Sequence, residues 1–317
     1  MGRFTVLQNS QSKFMICMIK IVQLCVNLLW LTLQIFYYIC QSVYHHCFGL
    51  HEKEVAGEIV LITGAGHGIG KELAIQYASL GAKVVCLDMN KHTNEETANQ
   101  IGKNAYAYRC DVTKREEIFA LAKKVKEEVG DVTILVNNAG IMPCRTFLDY
   151  TADEIEQIFN VNVLAHFWML QAFLPIMIEK NYGHVVALSS IAGIAGLPNL
   201  IPYSASKHAV QGLMDAIDNE LRKTNKEKSQ INFTTIYPYM VDTGLCKKPK
   251  INKMLEAFLL LSSPKDTASQ IIKAQRQNIR RKSIPSFWLS LVAFARLFPE
   301  NAQISVTDFI DSGVEPS

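Results

Sequence analysis

No CxxC pair or regularly spaced cysteine set occurs in this sequence, although cysteines stand at positions 17, 25, 40, 47, 86, 110, 144 and 246. That argues against a zinc site, any other metal centre and a disulfide framework, and points to reduced thiols facing the cytosol. A basic excess is also missing. The 32 Lys and Arg against 29 Asp and Glu leave a net charge of +3, too weak for a nucleic-acid face. No Pro/Gly/Ser linker and no internal repeat divides the chain. Its 317 residues, 49% of them hydrophobic, can bury a sizeable core.

Charge is absent altogether from Ile21 to Cys40, twenty residues long. As a helix this run crosses a hydrocarbon core of about 30 Å. It is too long for the apolar part of a cleaved signal peptide, and no clean small-residue cleavage site follows it. Lys20, Gln23, Asn27, Gln34 and Gln41 fall on one narrow helical stripe, and the rest of the surface is apolar. Such a helix either spans the bilayer or lies in its interface. Arg3, Lys13 and Lys20 precede the run, which keeps the N-terminus cytosolic. A single span would then put the rest in the lumen, whereas a monotopic anchor leaves all of it in the cytosol.

From about residue 56 the pattern changes. The runs `EIVLIT`, `AKVVCLD`, `AYAYRCD`, `VTILVNNAG`, `GHVVALSS` and `INFTTIYP` are nearly continuously apolar, as strands buried on both faces of a parallel sheet are. Helix-length segments separate them, and Thr151 with Glu154 forms a capping box at the start of one. The order predicts an α/β fold, a Rossmann-type doubly wound parallel sheet of about seven strands with an N-terminal hydrophobic anchor helix. The expected organisation is an anchor and linker over 1–55, a catalytic domain over 56–282 and a hydrophobic extension over 283–317. `SIPSFWLSLVAFARLFP` in that extension is either a core-packing helix or a second membrane contact.

The first strand runs into `TGAGHGIG`, residues 63 to 70, and then into a helix near Lys71. Gly64, Gly66, His67, Gly68, Ile69 and Gly70 make up this turn. Glycines let the backbone approach a pyrophosphate, and the helix N-terminus supplies N–H donors. The alternative is a tight structural turn. The second strand ends at Asp88, whose carboxylate can accept from ribose hydroxyls and repel a 2′-phosphate. Met89 and Asn90 follow it, with no Arg, so NAD is expected over NADP; His67 is the one residue of the loop that favours an extra phosphate.

With `NNAG` at 137–140, Asn162, `SS` at 189–190 and `YSASK` at 203–207 in order behind that turn, the chain resembles the short-chain dehydrogenases/reductases over residues 56 to 282. Its N-terminal anchor, `VAGEIVLITGAG` and `FLPIMIEKNYGHVVALSSIAG` resemble the membrane-associated branch, which holds retinol dehydrogenases and 17β-hydroxysteroid dehydrogenases of the endoplasmic reticulum and lipid droplets. The resemblance implies catalytic roles for four residues. Tyr203 is the acid/base, with Lys207 one turn on lowering its pKa. Ser190 positions the substrate oxygen, with Ser189 as the fallback. Asn162 holds a relay water, with Asn160 as its decoy. It also implies that Asp111 and Val112 border the adenine, and that Asn138, Ala139 and Gly140 pass under the ribose. Pro238, Val241 and Thr243 are implied to hold the nicotinamide amide. Tyr239 stands where the family often has Gly, which leaves the local backbone open.

The implied function is a membrane-anchored oxidoreductase transferring a hydride between NAD(H) and a hydroxyl or carbonyl group of a lipophilic small molecule, a retinoid or steroid. Residues 245–282 would form the substrate lid. The implied assembly is a homodimer through 152–179 and 203–223, on an endoplasmic reticulum or lipid-droplet surface, with no nucleic-acid partner. The alternatives are an NADPH-dependent carbonyl reductase and a membrane or lipid-droplet structural protein with little turnover. The `NFT` sequon places Asn232 on the sixth strand, where it should be buried and unmodified.

Overall fold

The computed structural model describes residues 2–224, 229–246, 249–250, 261–311 and 313–315; side chains at 2–13, 45–48 and 249 are not described. The chain divides into two compact units, Met1–His51 and Glu52–Ser317.

The first unit is one helix, α1 (Gly2–Phe48). Neither proline nor glycine interrupts it between Arg3 and Phe48, so nothing breaks its hydrogen-bond ladder. Every side chain from Phe14 to Tyr44 is exposed, and this stretch is long and apolar enough to cross a membrane. On its polar stripe Gln23 Nε2 donates to Asn27 Oδ1 at 3.1 Å, one helical turn away.

The second unit alternates strands and helices. In chain order they are β1 (Ile59–Thr63), α2 (Gly68–Ser79), β2 (Lys83–Asp88), α3 (Lys91–Ile101), β3 (Ala105–Arg109), α4 (Arg115–Glu128) and β4 (Ile134–Asn137). Then come α5 (Ala152–Phe159), α6 (Ala165–Glu179), β5 (Gly183–Leu188), α7 (Ile201–Thr224), β6 (Ile231–Pro238), β7 (Pro249–Lys250), α8 (Pro264–Arg276), β8 (Arg281–Ile284), α9 (Trp288–Ala295), α10 (Glu300–Ile310) and β9 (Gly313–Val314). Seven strands form one sheet in the order β3-β2-β1-β4-β5-β6-β8, and all of its pairings are parallel. This is the doubly wound arrangement, with the strand order reversing between β1 and β4, where ligands of such sheets bind.

Side-chain alternation along the strands builds two cores. Leu61, Val85, Leu135, Val185 and Phe233 face α4, α6 and α7 through residues such as Ile118, Met169 and Val210. Val60, Ile62, Val84, Val136 and Ile236 face α2 and α8 through Leu73, Tyr77, Ala268 and Ile271. Burying a side chain of this kind contributes roughly 1.5–3 kcal/mol. The capping box forms as expected: Thr151 Oγ1 accepts from the Glu154 N–H at 3.2 Å, and Glu154 Oε2 accepts from the Thr151 N–H at 3.1 Å.

Several details differ from the sequence reading. The first crossover helix starts at Gly68 rather than near Lys71. The seventh strand, β8, is the charged run `RKSI`, which gives no apolar signal because it is short and edges the sheet. Asn232 is partly exposed rather than buried: it lies at the start of β6 and its Nδ2 donates to Gln230 O at 3.0 Å. The expected lid falls partly outside the described residues, at 247–248 and 251–260; Pro264–Arg276 of that range is α8, whose apolar face packs into the core. In the extension, Trp288 is buried with Ile191, Ile194 and Tyr237. Beyond it, Phe294, Leu297, Phe298 and Phe309 are exposed.

Candidate active site

β1 ends at Thr63 and the chain turns through Gly64 (φ 69°) and Gly68 (φ 56°), left-handed conformations that cost other residues about 1 kcal/mol or more. Gly70 then packs so tightly on the Gly64 carbonyl that a Cβ there would collide with backbone. His67 stands at the N-cap of α2 without a side-chain cap. The N–H groups of the first turn are therefore left for another acceptor, and the helix dipole favours a negative one.

Asn138 ties this turn to the end of β4. Its Nδ2 donates to Thr63 O at 2.8 Å, while the Asn138 and Ala139 N–H groups donate to Thr63 Oγ1 at 2.9 and 3.0 Å. At the end of β2, Asp88 Oδ2 accepts from the Gly66 N–H and Oδ1 from the Asn90 N–H, both at 2.9 Å. Each oxygen keeps a further lone pair. A side chain at Gly66 would meet Thr93 and Asp88 at once.

From this turn a cleft of about 480 Å³ runs across the carboxyl ends of the strands. Gly64, His67, Gly68, Ile69, Asp88, Asn138, Ala139, Gly140, Ser190, Tyr203, Lys207, Pro238, Val241 and Thr243 all line it. Gly66, Gly70, Asp111, Val112 and Asn162 are not among its lining residues. Asp111 Oδ1 accepts from Thr113 N–H and Oγ1 at 2.9 and 2.8 Å.

Asn162 sits behind the cleft wall in a π-helical turn, Asn160–Leu164, between α5 and α6. Such turns recur at functional positions. Its Oδ1 accepts from the Ile141 N–H, and its Nδ2 donates to Ile141 O and to Ser206 Oγ, at 2.9, 2.9 and 3.1 Å.

Tyr203 and Lys207 lie on α7, one turn apart and both buried. Lys207 Nζ is 5.6 Å from the Tyr203 ring centroid and donates to Leu188 O at 2.8 Å. Burial pushes the Tyr203 phenol up to about 12, although a hydrogen bond with Ser190 pulls it down. Burial lowers Lys207 to about 8. In the protein alone burial dominates the phenol and Ser190 is the group that lowers it, whereas the expectation from the sequence concerned Lys207 acting together with the positive charge of bound NAD⁺. The two serines are distinct. Ser189 Oγ donates to Lys207 O at 2.9 Å, whereas Ser190 Oγ accepts from the Ala192 N–H at 3.1 Å, donates to Pro238 O at 3.4 Å and lowers the pKa of the phenol.

Beyond Tyr203 the cleft is apolar, with Met142, Leu197, Leu200, Met240, Cys246 and Val314 in its wall. Apart from Cys246, which lies in the expected lid over 245–282, sequence reasoning missed these residues, because they come from separate loops and carry no periodic signal. Val314 is held there by Asn199 Nδ2, which donates to its carbonyl at 3.0 Å, and by pairing of β9 with β7.

The model of the short chain dehydrogenases matches residues 58–253, more than half of the chain. The chain belongs to the short-chain dehydrogenase family. Among the relatives of this short-chain dehydrogenase is epidermal retinol dehydrogenase 2 of Mus musculus, 39% identical and aligned over 86% of this chain and 88% of that one. 17-Beta-hydroxysteroid dehydrogenase 13 of Homo sapiens is 37% identical over 87% and 91%. Short-chain dehydrogenase/reductase family 16C member 6 of Bos taurus is 45% identical over 66% and 67%. A Burkholderia phymatum short chain dehydrogenase/reductase, solved in complex with NAD, superposes with a TM-score of 0.69 at 26% identity, covering 77% of this chain and 94% of that one.

Proposed function

We propose that this short-chain dehydrogenase is a membrane-anchored enzyme that exchanges a hydride between NAD(H) and an alcohol or carbonyl carbon of a lipophilic substrate, a retinoid or steroid. The observation that carries the reading is the convergence of Tyr203, Ser190 and Lys207 on one cleft that opens at the glycine turn. The uncapped α2 N-terminus suits a pyrophosphate, and Asp88 suits unphosphorylated ribose hydroxyls, so the residues present fit NAD. The names of the relatives and the apolar far wall of the cleft support the substrate class.

When bound, the dinucleotide would supply the hydride donor or acceptor and, in its oxidised form, a positive charge. The chain's own groups do the rest. Ser190 offers a hydroxyl to the substrate oxygen. Tyr203 gives that oxygen a proton in reduction and takes it in oxidation. With burial holding the phenol near 12, the protein alone favours the neutral, proton-donating form. Lys207 would hold the nicotinamide ribose and Asn162 a relay water. Asp111, Val112, Asn138, Ala139 and Gly140 contribute the remaining dinucleotide contacts, and Val241 and Thr243 hold the amide.

We further read residues 1–55 as anchor and linker and 283–317 as an extension. The domain over 56–282 carries its lid at 245–282. The anchor would hold it on endoplasmic reticulum or lipid-droplet surfaces with the domain in the cytosol. Leu164 and Phe167, exposed on the helices over 152–179, support a homodimer through that face and 203–223. NADH formation by membranes carrying the full chain tests the reading, with retinol and steroid alcohols as substrates. Tyr203→Phe should lose at least about a hundredfold in kcat, the contribution of a positioned acid/base group; a variant as active as wild type ends it.

A further inference from the structure

Tyr239 stands where the family often has Gly, and its backbone and ring both have fixed places. Its N–H donates to Ile284 O at 2.8 Å, which carries the pairing of β6 with β8 one residue past Pro238. The half-buried ring borders the cleft and stacks on Trp288, with centroids 5.0 Å apart and planes 30° apart. Trp288, at the start of α9, is buried and is itself backed by Phe287 at 5.3 Å. Its Nε1 has no hydrogen-bond partner, so the indole contributes its face to this stack and not its N–H. Rings offset at such spacings attract one another and have few torsions through which to turn.

The stack lies beside Ser190. Ser190 Oγ donates to Pro238 O at 3.4 Å, so the residue after Pro238 flanks that hydroxyl. Ile191, which follows Ser190, borders the cleft and shares an apolar cluster with Tyr237 and Trp288, against which Tyr239 packs. A separate cluster joins Tyr203 to Leu200 and Val314, with Leu197 against it. Two apolar groups thus border the place where Ser190 and Tyr203 converge. One is built of side chains from several loops, and the other is a plate of rings.

We propose, resting on the reading of Ser190 and Tyr203 above, that Tyr239 is a specificity-determining residue with Trp288 as its support, and that the pair favours primary lipophilic alcohols over ring-bound secondary ones. A carbinol carbon with one large group directs that group toward Leu200 and Val314 and leaves only hydrogen against the rings. A carbinol carbon with two carbon substituents presses the second one on the Tyr239 ring, which cannot turn aside because Trp288 backs it. Rejection by such a clash is one of the two routes to specificity. A glycine at this position would leave that side open. Retinoid-like alcohols fit this wall better than steroid alcohols do. Trp288 lies beyond residues 58–253, which match the family model, so this part of the site comes from the carboxyl-terminal extension.

The test uses the full chain in membranes with NAD and two probes, a long-chain primary alcohol and the same chain bearing a methyl on its carbinol carbon. The wild type should show a kcat/KM for the primary alcohol at least about tenfold above that for the secondary one, the scale on which a pocket tells apart a single methylene-sized group. Tyr239→Gly should lower that ratio at least about tenfold, mainly through faster turnover of the secondary alcohol. Trp288→Leu should lower it in the same direction by a smaller factor, and Tyr239→Phe, which keeps the ring, should hold it within about twofold. A wild type without the preference overturns the proposal, and this is read without any variant. A glycine variant with an unchanged ratio, or one in which both rates fall alike, also overturns it; should that variant fail to fold, Tyr239→Ala takes its place with the same outcomes. Tyr203→Phe in the same assay separates the two readings. If it is inactive while the ratio ignores Tyr239, only this inference fails.

Discussion

Asp88 illustrates how much one side chain decides. Its carboxylate is fixed by two backbone N–H groups, at 2.9 Å each, and faces the cleft. On the NAD reading proposed above, its charge would oppose a 2′-phosphate and its lone pairs would serve a 2′-hydroxyl. Asp88→Asn keeps one acceptor and removes the charge, so the ratio of kcat/KM for NAD over NADP should fall at least about tenfold, roughly 1.4 kcal/mol. Kinetics with the two dinucleotides measure this, and an unchanged ratio would remove Asp88 from that role. The residue was legible in the sequence because strand, glycine turn and carboxylate occur within one βαβ unit. The unpartnered buried side chains of His166 and Asn137 were not. Asn137 opens `NNAG` and His166 stands four residues after Asn162, but nothing in sequence spacing reveals that a buried polar atom lacks a partner.

At the scale of elements, the six apolar strands could be read because burial on both faces demands uninterrupted β-branched runs. The seventh could not, since `RKSI` is an edge strand carrying two charges. Nor could the two-stranded ribbon of β7 and β9, whose pairing joins residues 249–250 to 313–314 across more than sixty positions. That ribbon, with Asn199 bonded to the Val314 carbonyl and Lys250 Nζ 2.7 Å from Asp311 Oδ1, puts Val314 in the apolar wall of the cleft. Val314→Ala should widen the wall and raise the KM for a bulky lipophilic alcohol at least about fivefold, in line with roughly 1 kcal/mol or more per lost methylene-scale contact. The KM for NAD should stay the same. Initial-rate kinetics with both substrates varied check this; equal effects on the two would refute a substrate-side wall.

For the whole domain, acid should act through two buried histidines. His184 Nδ1 lies 3.0 Å from the Lys53 ammonium, and its Nε2 is 2.8 Å from Thr234 Oγ1. Burial, and then the Lys53 charge, hold it neutral far below 6.5; burial and Lys207 do the same to His166. Both folded pKa values lie below the unfolded one, so the unfolded chain binds more protons and stability falls as pH drops below about 6.5. The pair accounts for on the order of 2 kcal/mol per pH unit in that window. The carboxyls of Asp131, held low by Lys180, and Glu154, held low by the Thr151 N–H, act at lower pH. Thermal melts of the full chain in detergent micelles between pH 7 and 5 should therefore show a falling Tm; a flat Tm would contradict neutral buried imidazoles.

The position of Val314 also bears on synthesis. During translation the apolar helix at the amino end leaves the ribosome first, whereas the wall that encloses a hydrophobic guest waits for residue 314. If that helix enters lipid as it emerges, the chain it leads still has an unfinished cleft. A stalled or prematurely stopped message would yield a product able to compete for the same surface with its cleft ajar.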